Sequence, residues 1–212
     1  LRASILMLEG DQKRILITSA VPSEGKSFCA VNAAVALAQQ HTKVLLIDAD
    51  LRKPVIEERL FGGEKQPGLA DYLIGRADLD DVVRPSKIPG LSVMTAGRRY
   101  SNPAELLARR QRVEELLNEA ESKFDRVVMD SAPVLAVSDT LGLAPHFAAV
   151  AVVVRSHKTA RRLVQRALDL LRRSGRSACG VALNMVPARG EDYHYYYSHG
   201  EDGKAYGADA TS

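Results

Sequence analysis

The chain has 212 residues, a length at which one domain buries roughly 70% of its unfolded surface and needs no disulfide or metal staple. Hydrophobic residues make up 46% and charged residues 26%, which excludes collagen, low-complexity disorder and a membrane-embedded bundle. A net charge of +3 is too small to point to nucleic acid by itself, and no apolar run approaches the roughly 18 residues of a membrane span. Cys29 and Cys179 lack any metal-ligand or CxxC spacing, so they read as buried thiols in a reducing cytoplasm. No stretch of the given residues reads as a signal peptide, and the start at Leu1 suggests a fragment whose upstream part carries targeting or a membrane segment.

In chain order, the first apolar run is Ile15-Leu16-Ile17, short and β-branched like a strand buried on both faces. It leads into Ala20-Val21-Pro22-Ser23-Glu24-Gly25-Lys26-Ser27, followed by Phe28 and a helical pattern over 26–40. This fits a P-loop with Ala20 in place of the usual first Gly. Between a strand and a helix N-terminus, such a loop turns its N–H groups onto phosphate oxygens, helped by the helix dipole. Gly25 allows close approach, Lys26 reaches the β- and γ-phosphates, and the Ser27 hydroxyl is a Mg²⁺ ligand. A second strand, 44–47, ends in Asp48-Ala49-Asp50-Leu51-Arg52-Lys53-Pro54, where alternation sends Asp48 and Asp50 to the same side.

Asn102 and Pro103 open a second helix, expected over 103–123, as cap and first-turn proline. Strand 127–129 then ends in Asp130-Ser131-Ala132-Pro133, a Walker-B-like acid that holds a metal. Strand 148–154, helix 159–173 and strand 181–183 complete the series. Strand and helix in alternation predict an α/β domain, a mostly parallel twisted sheet flanked by helices with its ligand at the strand carboxyl ends. Composition shifts after Pro187, giving a domain over 1–187 and a flexible tyrosine-rich tail over 188–212. Five of the seven tyrosines fall in the last 20 residues, where a core has no use for them.

TSAVPSEGKS, LLIDADLRKP and VVMDSAP resemble the Walker A, A′ and B motifs of the bacterial protein-tyrosine kinases of capsule and exopolysaccharide systems. Asn102-Pro103-Ala104-Glu105-Leu106-Leu107 resembles that family's NP-x-ELL segment, and Tyr193, Tyr195, Tyr196, Tyr197 and Tyr206 resemble its C-terminal tyrosine cluster. The resemblance covers nearly the whole chain. It implies a P-loop fold of the MinD type and Mg-ATP-dependent autophosphorylation of those tyrosines between subunits of a ring-like homo-oligomer. It also implies a membrane activator or polysaccharide co-polymerase, fused upstream or separate, a tyrosine phosphatase, and a place at the inner face of the plasma membrane. Carried over by position, Lys26 and Ser27 hold ATP and Mg²⁺, Asp50 and Asp130 complete the metal shell, and Asp48 or Asp50 is the base. Asn184 matches an adenine-contacting position of MinD-like ATPases. The family's ExxRxxR motif is represented at most by Arg2, and Ser23 stands where the family often has Gly or Ala.

Two other functions are compatible with a P-loop. A MinD- or ParA-like ATPase switch generally carries an additional Lys early in the loop, where this chain has Val21, and lacks a tyrosine cluster. A scaffold that binds ATP and acts by assembly alone is the non-enzymatic alternative. Residues 155–176 carry eight Arg or Lys against Asp169, a local balance of +7, while 190–212 balance at −4. The basic stretch reads as a solvated face, or as a surface for anionic lipid or for an acidic patch on an activator or neighbouring subunit. It lacks the interleaved aromatics that single-stranded nucleic acid would stack on, so none is expected as a partner.

Overall fold

The structure, a computed structural model, describes residues 13–63 and 66–187. The tail, its tyrosines and the domain boundary expected at 187 therefore lie at or outside the described residues, as does Arg2. Seven strands form one sheet among the described residues: β1 (Arg14–Ser19), β2 (Val44–Asp48), β3 (Val83–Pro85), β4 (Leu91–Met94), β5 (Arg126–Asp130), β6 (Ala149–Arg155) and β7 (Gly180–Asn184). Their order is β3-β4-β2-β5-β1-β6-β7. Every pairing is parallel except the edge pair β3 and β4. The mostly parallel α/β architecture predicted from alternating runs is the one observed.

The apolar runs are continuous because both faces of the sheet are covered. Helix α1 (Lys26–Ala38) lays Ala30, Ala33, Ala34 and Leu37 on Ile15, Ile17, Val44, Leu46, Val128 and Val153. Its alanines allow the helix to lie close to the strands. Alternate residues Leu16, Leu45, Ile47, Val127, Met129, Val150 and Val152 point to the opposite face. There they meet α3 (Leu69–Leu73), α5 (Pro103–Leu107), α6 (Arg110–Lys123) and α8 (Arg161–Arg173), through Leu69, Leu73, Leu106, Leu107, Leu116, Leu117, Ala167 and Leu171. The remaining helices are α2 (Ile56–Phe61), α4 (Leu79–Val82) and α7 (Asp139–Leu143). No helix among the described residues is long and apolar enough to cross a membrane.

The structure differs from the sequence expectation at the helix read over 103–123. It is two helices, broken where Ala108 caps α5 and Arg109, with ψ 71°, precedes α6. The break is stapled from outside by Arg109 Nη1 on the Leu73 carbonyl and Arg112 Nη2 on the Tyr72 carbonyl. Leu106 and Leu107 can thus turn inward together, independently of the stripe Val113, Leu116, Leu117 and Ala120. β3 and β4 were not foreseen; at three and four residues they are too short to show a period. Cys29 is buried as expected, but Cys179 is exposed, because its segment runs along the sheet edge into β7.

Candidate functional site

β1 lies between β5 and β6 and delivers the P-loop at its carboxyl end. Residues 20–25 connect β1 to α1, shaped by two hydrogen bonds and two left-handed residues. The Val21 N–H donates to Glu24 Oε2 at 2.8 Å and the Ser19 hydroxyl to the Val21 carbonyl at 2.9 Å. Ser23 has φ +66° and Gly25 φ +87°, the left-handed region a non-glycine residue enters at a cost. At Gly25 a Cβ would also lie 2.1 Å from Asn184 Nδ2. Pro22 is exposed, Ala20 is buried, and Phe28 projects with 56% of its surface free.

The Lys26 ammonium sits among the strand-end acids, 2.8 Å from Asp50 Oδ2, 3.6 Å from Asp130 Oδ2 and 3.1 Å from Ser27 Oγ. Parallel pairing makes this cluster, since Asp48 stands level with Asp130 across β2 and β5, and Asp130 level with Ile17 of β1. Burial works against the Lys26 charge, yet Asp130 and Asp50 outweigh it and hold the ammonium above its usual range. Burial, followed by the charge of Asp130, pushes the Asp48 carboxyl up to about 7. Burial likewise raises Asp130 to about 6 despite Lys26.

Asp48 and Asp50 do not share one orientation. β2 ends at Asp48, so strand alternation does not extend to Asp50. The Asp48 carboxylate accepts the N–H groups of Asp50, Val55 and Ile56 at 3.1–3.2 Å and fixes the turn into α2. Asp50 instead faces Lys26 and lines a cavity of about 400 Å³ opening beside the P-loop. Asn184 lies on the other side of the loop, where its amide donates to the Glu24 carbonyl at 2.9 Å.

The sequence gives Glu24 a place in the ATP-binding loop, with Ala20, Val21, Pro22, Ser23, Gly25 and Phe28, but no work for its side chain. It is 1% exposed, and its carboxylate accepts the N–H groups of Val21 and Arg155 and the Thr159 hydroxyl. This ties the P-loop to the β6–α8 connection. The partners lie 131 and 135 residues away, so no local pattern could have announced them. The Arg52 guanidinium, which the sequence offers as a cation near the leaving phosphate or as a solvated side chain, holds Asp139 at 2.8 Å and links the β2 loop to α7.

The donor set fits Mg²⁺ in the way this ion is usually held, by one or two carboxylates completed by phosphates and water. Both Asp130 carboxylate oxygens are buried without a hydrogen bond of good geometry, although Ser27 and Lys26 stand close by. An unsatisfied buried carboxylate next to a Ser hydroxyl is what such an ion would satisfy. Among the described residues no group of three His, Cys, Asp or Glu side chains makes an all-protein metal cage.

The same acids carry a stability prediction. Asp48 and Asp130 titrate above their usual carboxylate value in the fold, so the folded chain holds protons the unfolded chain has released. Stability of the nucleotide-free protein is therefore greatest near pH 4, declines up to about pH 7 and then levels off, as far as these two groups contribute. Asp130→Asn removes one buried carboxylate, raises stability at pH 7 by about 1 kcal/mol and flattens that decline. Urea melts at pH 5 and pH 7 measure both, and an Asn variant less stable than wild type at pH 7 contradicts the expectation.

A family model described as an AAA domain matches residues 13–170. Tyrosine-protein kinase YwqD of Bacillus subtilis is 37% identical over 89% of this chain and 79% of its own length. Tyrosine-protein kinase wzc of Salmonella typhimurium is 33% identical over 93% of this chain but only 28% of its own. Tyrosine-protein kinase ptk of Acinetobacter johnsonii is matched over 24% of its length, so this chain spans about a quarter of some curated relatives. Among solved structures, the VpsO kinase domain superimposes with TM-score 0.82 at 37% identity, covering 88% of this chain and 91% of that one. The kinase domain of the Escherichia coli tyrosine kinase ETK gives TM-score 0.82 at 32% identity, covering 97% of this chain and 76% of that one. The cell division ATPase MinD of Pyrococcus furiosus, TM-score 0.70 at 21% identity over 84% and 74% of the two chains, shares the fold.

Proposed function

We propose, for a chain that belongs to the bacterial tyrosine-protein kinase family, Mg-ATP-dependent phosphorylation of its own tail tyrosines Tyr193, Tyr195, Tyr196, Tyr197 and Tyr206, in trans between subunits. The observation that carries this reading is the Lys26 ammonium at 2.8 Å from Asp50 and 3.6 Å from Asp130, on a P-loop that opens into a cavity. The loop N–H groups and Lys26 bind the triphosphate, and Lys26 stabilises charge on the transferring group. Ser27 and Asp130, with Asp50 beside them, would hold Mg²⁺, which when bound neutralises phosphate charge. Asp50 rather than Asp48 lines the cavity, so it is the acid that orients the acceptor phenol and takes its proton. The tyrosine Oη–Pγ bond forms, the bond from Pγ to the β–γ bridging oxygen breaks, and ADP leaves.

In this reading the chain self-assembles, works beside a membrane activator or polysaccharide co-polymerase at the inner face of the plasma membrane, and is reversed by a tyrosine phosphatase. Its phosphorylation state regulates capsule or exopolysaccharide polymerisation and export. Asn184, whose amide is held against the Glu24 carbonyl, borders the adenine in this reading. Incubation with Mg-ATP followed by phosphotyrosine mapping by mass spectrometry is expected to find phosphate on the tail tyrosines. ATP hydrolysis without phosphotyrosine would instead establish a nucleotide switch.

A further inference from the structure

The cavity beside Lys26 has a chemical division. Pro133, Ala136 and Val137 form an apolar wall, and Val55 and Phe28 stand among its other lining residues. Four cations also line it. Lys26 is neutralised by Asp50, and Arg52 by Asp139. Lys53 and Arg59 are exposed, and neither has an acidic partner among the described residues. Arg59 lies one helical turn beyond Val55, since its N–H donates to the Val55 carbonyl at 3.2 Å. A turn is about 5 Å, so its charge is displaced along α2 from the apolar side chain of Val55.

An apolar wall followed by unpaired cations suits an aromatic ring with anionic groups beside it. The tail offers that chemistry: Glu191-Asp192 immediately precede Tyr193, and Glu201-Asp202 precede Tyr206 by a few residues. We propose that Arg59, assisted by Lys53, is the specificity-determining cation of the acceptor site and selects tyrosines with acidic residues on their N-terminal side. This rests on the kinase reading above. The ring packs against Pro133 and Val137 while the flanking carboxylates meet Arg59 and Lys53 at the rim.

The test uses the full chain, Mg-ATP and three synthetic acceptor peptides. One has the sequence of residues 191–197, the second carries Glu191→Gln and Asp192→Asn, and the third carries Lys at both positions. The wild-type chain is expected to prefer the acidic peptide over the neutral one by about five- to tenfold in kcat/KM, through KM, with the preference shrinking as salt is added. The Arg59→Glu chain is expected to invert the ranking and favour the lysine peptide, and Lys53→Glu to shift it the same way. Equal KM for all three peptides with the wild-type chain, or a ranking unchanged in both variants, overturns the proposal while leaving the kinase reading intact. A wild-type chain that labels neither the peptides nor its own tail removes the kinase reading, and the specificity falls with it.

Discussion

Lys26→Met is expected to abolish phosphate transfer from Mg-ATP to the chain's tyrosines and also to destabilise the protein before any nucleotide is added. Losing a charge clamp on a transferring phosphoryl group costs on the order of 100- to 1,000-fold in rate, so radiolabel on the tail should fall below about 1% of wild type. The second effect follows from the local charges. Asp48, Asp50 and Asp130 are all buried, and among the described residues Lys26 is the cation within ion-pairing distance of Asp50 and Asp130. Removing one partner of a buried ion pair costs roughly 3–5 kcal/mol when the other stays charged. Here the acids can take up protons, as Asp48 and Asp130 are already raised towards neutral pH, which limits the loss at pH 7 to about 2–3 kcal/mol. Thermal melts of the nucleotide-free variant should thus show a lower midpoint, with a deficit that grows with pH. Labelling above a tenth of wild type, or an unchanged melting curve, would remove Lys26 from the role given to it.

The second large effect lies away from the chemistry. Gly68→Ala should lower stability by about 3 kcal/mol, or a melting point about 10 °C lower for a domain of this size. Gly68 has φ −155°, a backbone any residue adopts, so conformational freedom is not its reason. Its Cβ would instead lie 2.3 Å from the Thr95 carbonyl oxygen, 2.5 Å from Gly97 N and 2.7 Å from Gly97 Cα. All three are backbone atoms and cannot swing aside. The bonds from the Leu69 and Ala70 N–H groups to the Thr95 and Ala96 carbonyls, at 2.8 and 3.1 Å, bind α3 to the end of β4 there. Forcing these segments apart would strain both, and would disturb Asp71 Oδ2, which accepts from Gly68 and Arg98. A circular-dichroism melt within 2–3 °C of wild type, at about 1 kcal/mol per such shift, would show that the segment relaxes more easily than this packing allows.

The sequence by itself determined five of the seven strands, the phosphate loop and which acids end the neighbouring strands. Burial on both faces leaves its mark as short continuous apolar runs, and a loop that cradles phosphate requires its Gly and Lys at fixed spacing; both are properties of adjacent residues. The tertiary structure decided what each acid does. It separated Asp48, which holds the N–H groups at the start of α2, from Asp50, which faces Lys26, because β2 ends between them. It broke the helix at 108–109 so that leucines on both sides of the break reach one core. It gave buried Glu24 its partners on the β6–α8 connection and left Arg59 beside an apolar wall with no acidic partner among the described residues. These outcomes depend on segments distant in the chain meeting where parallel strands end side by side, a consequence of crossover and register that no window of local residues contains.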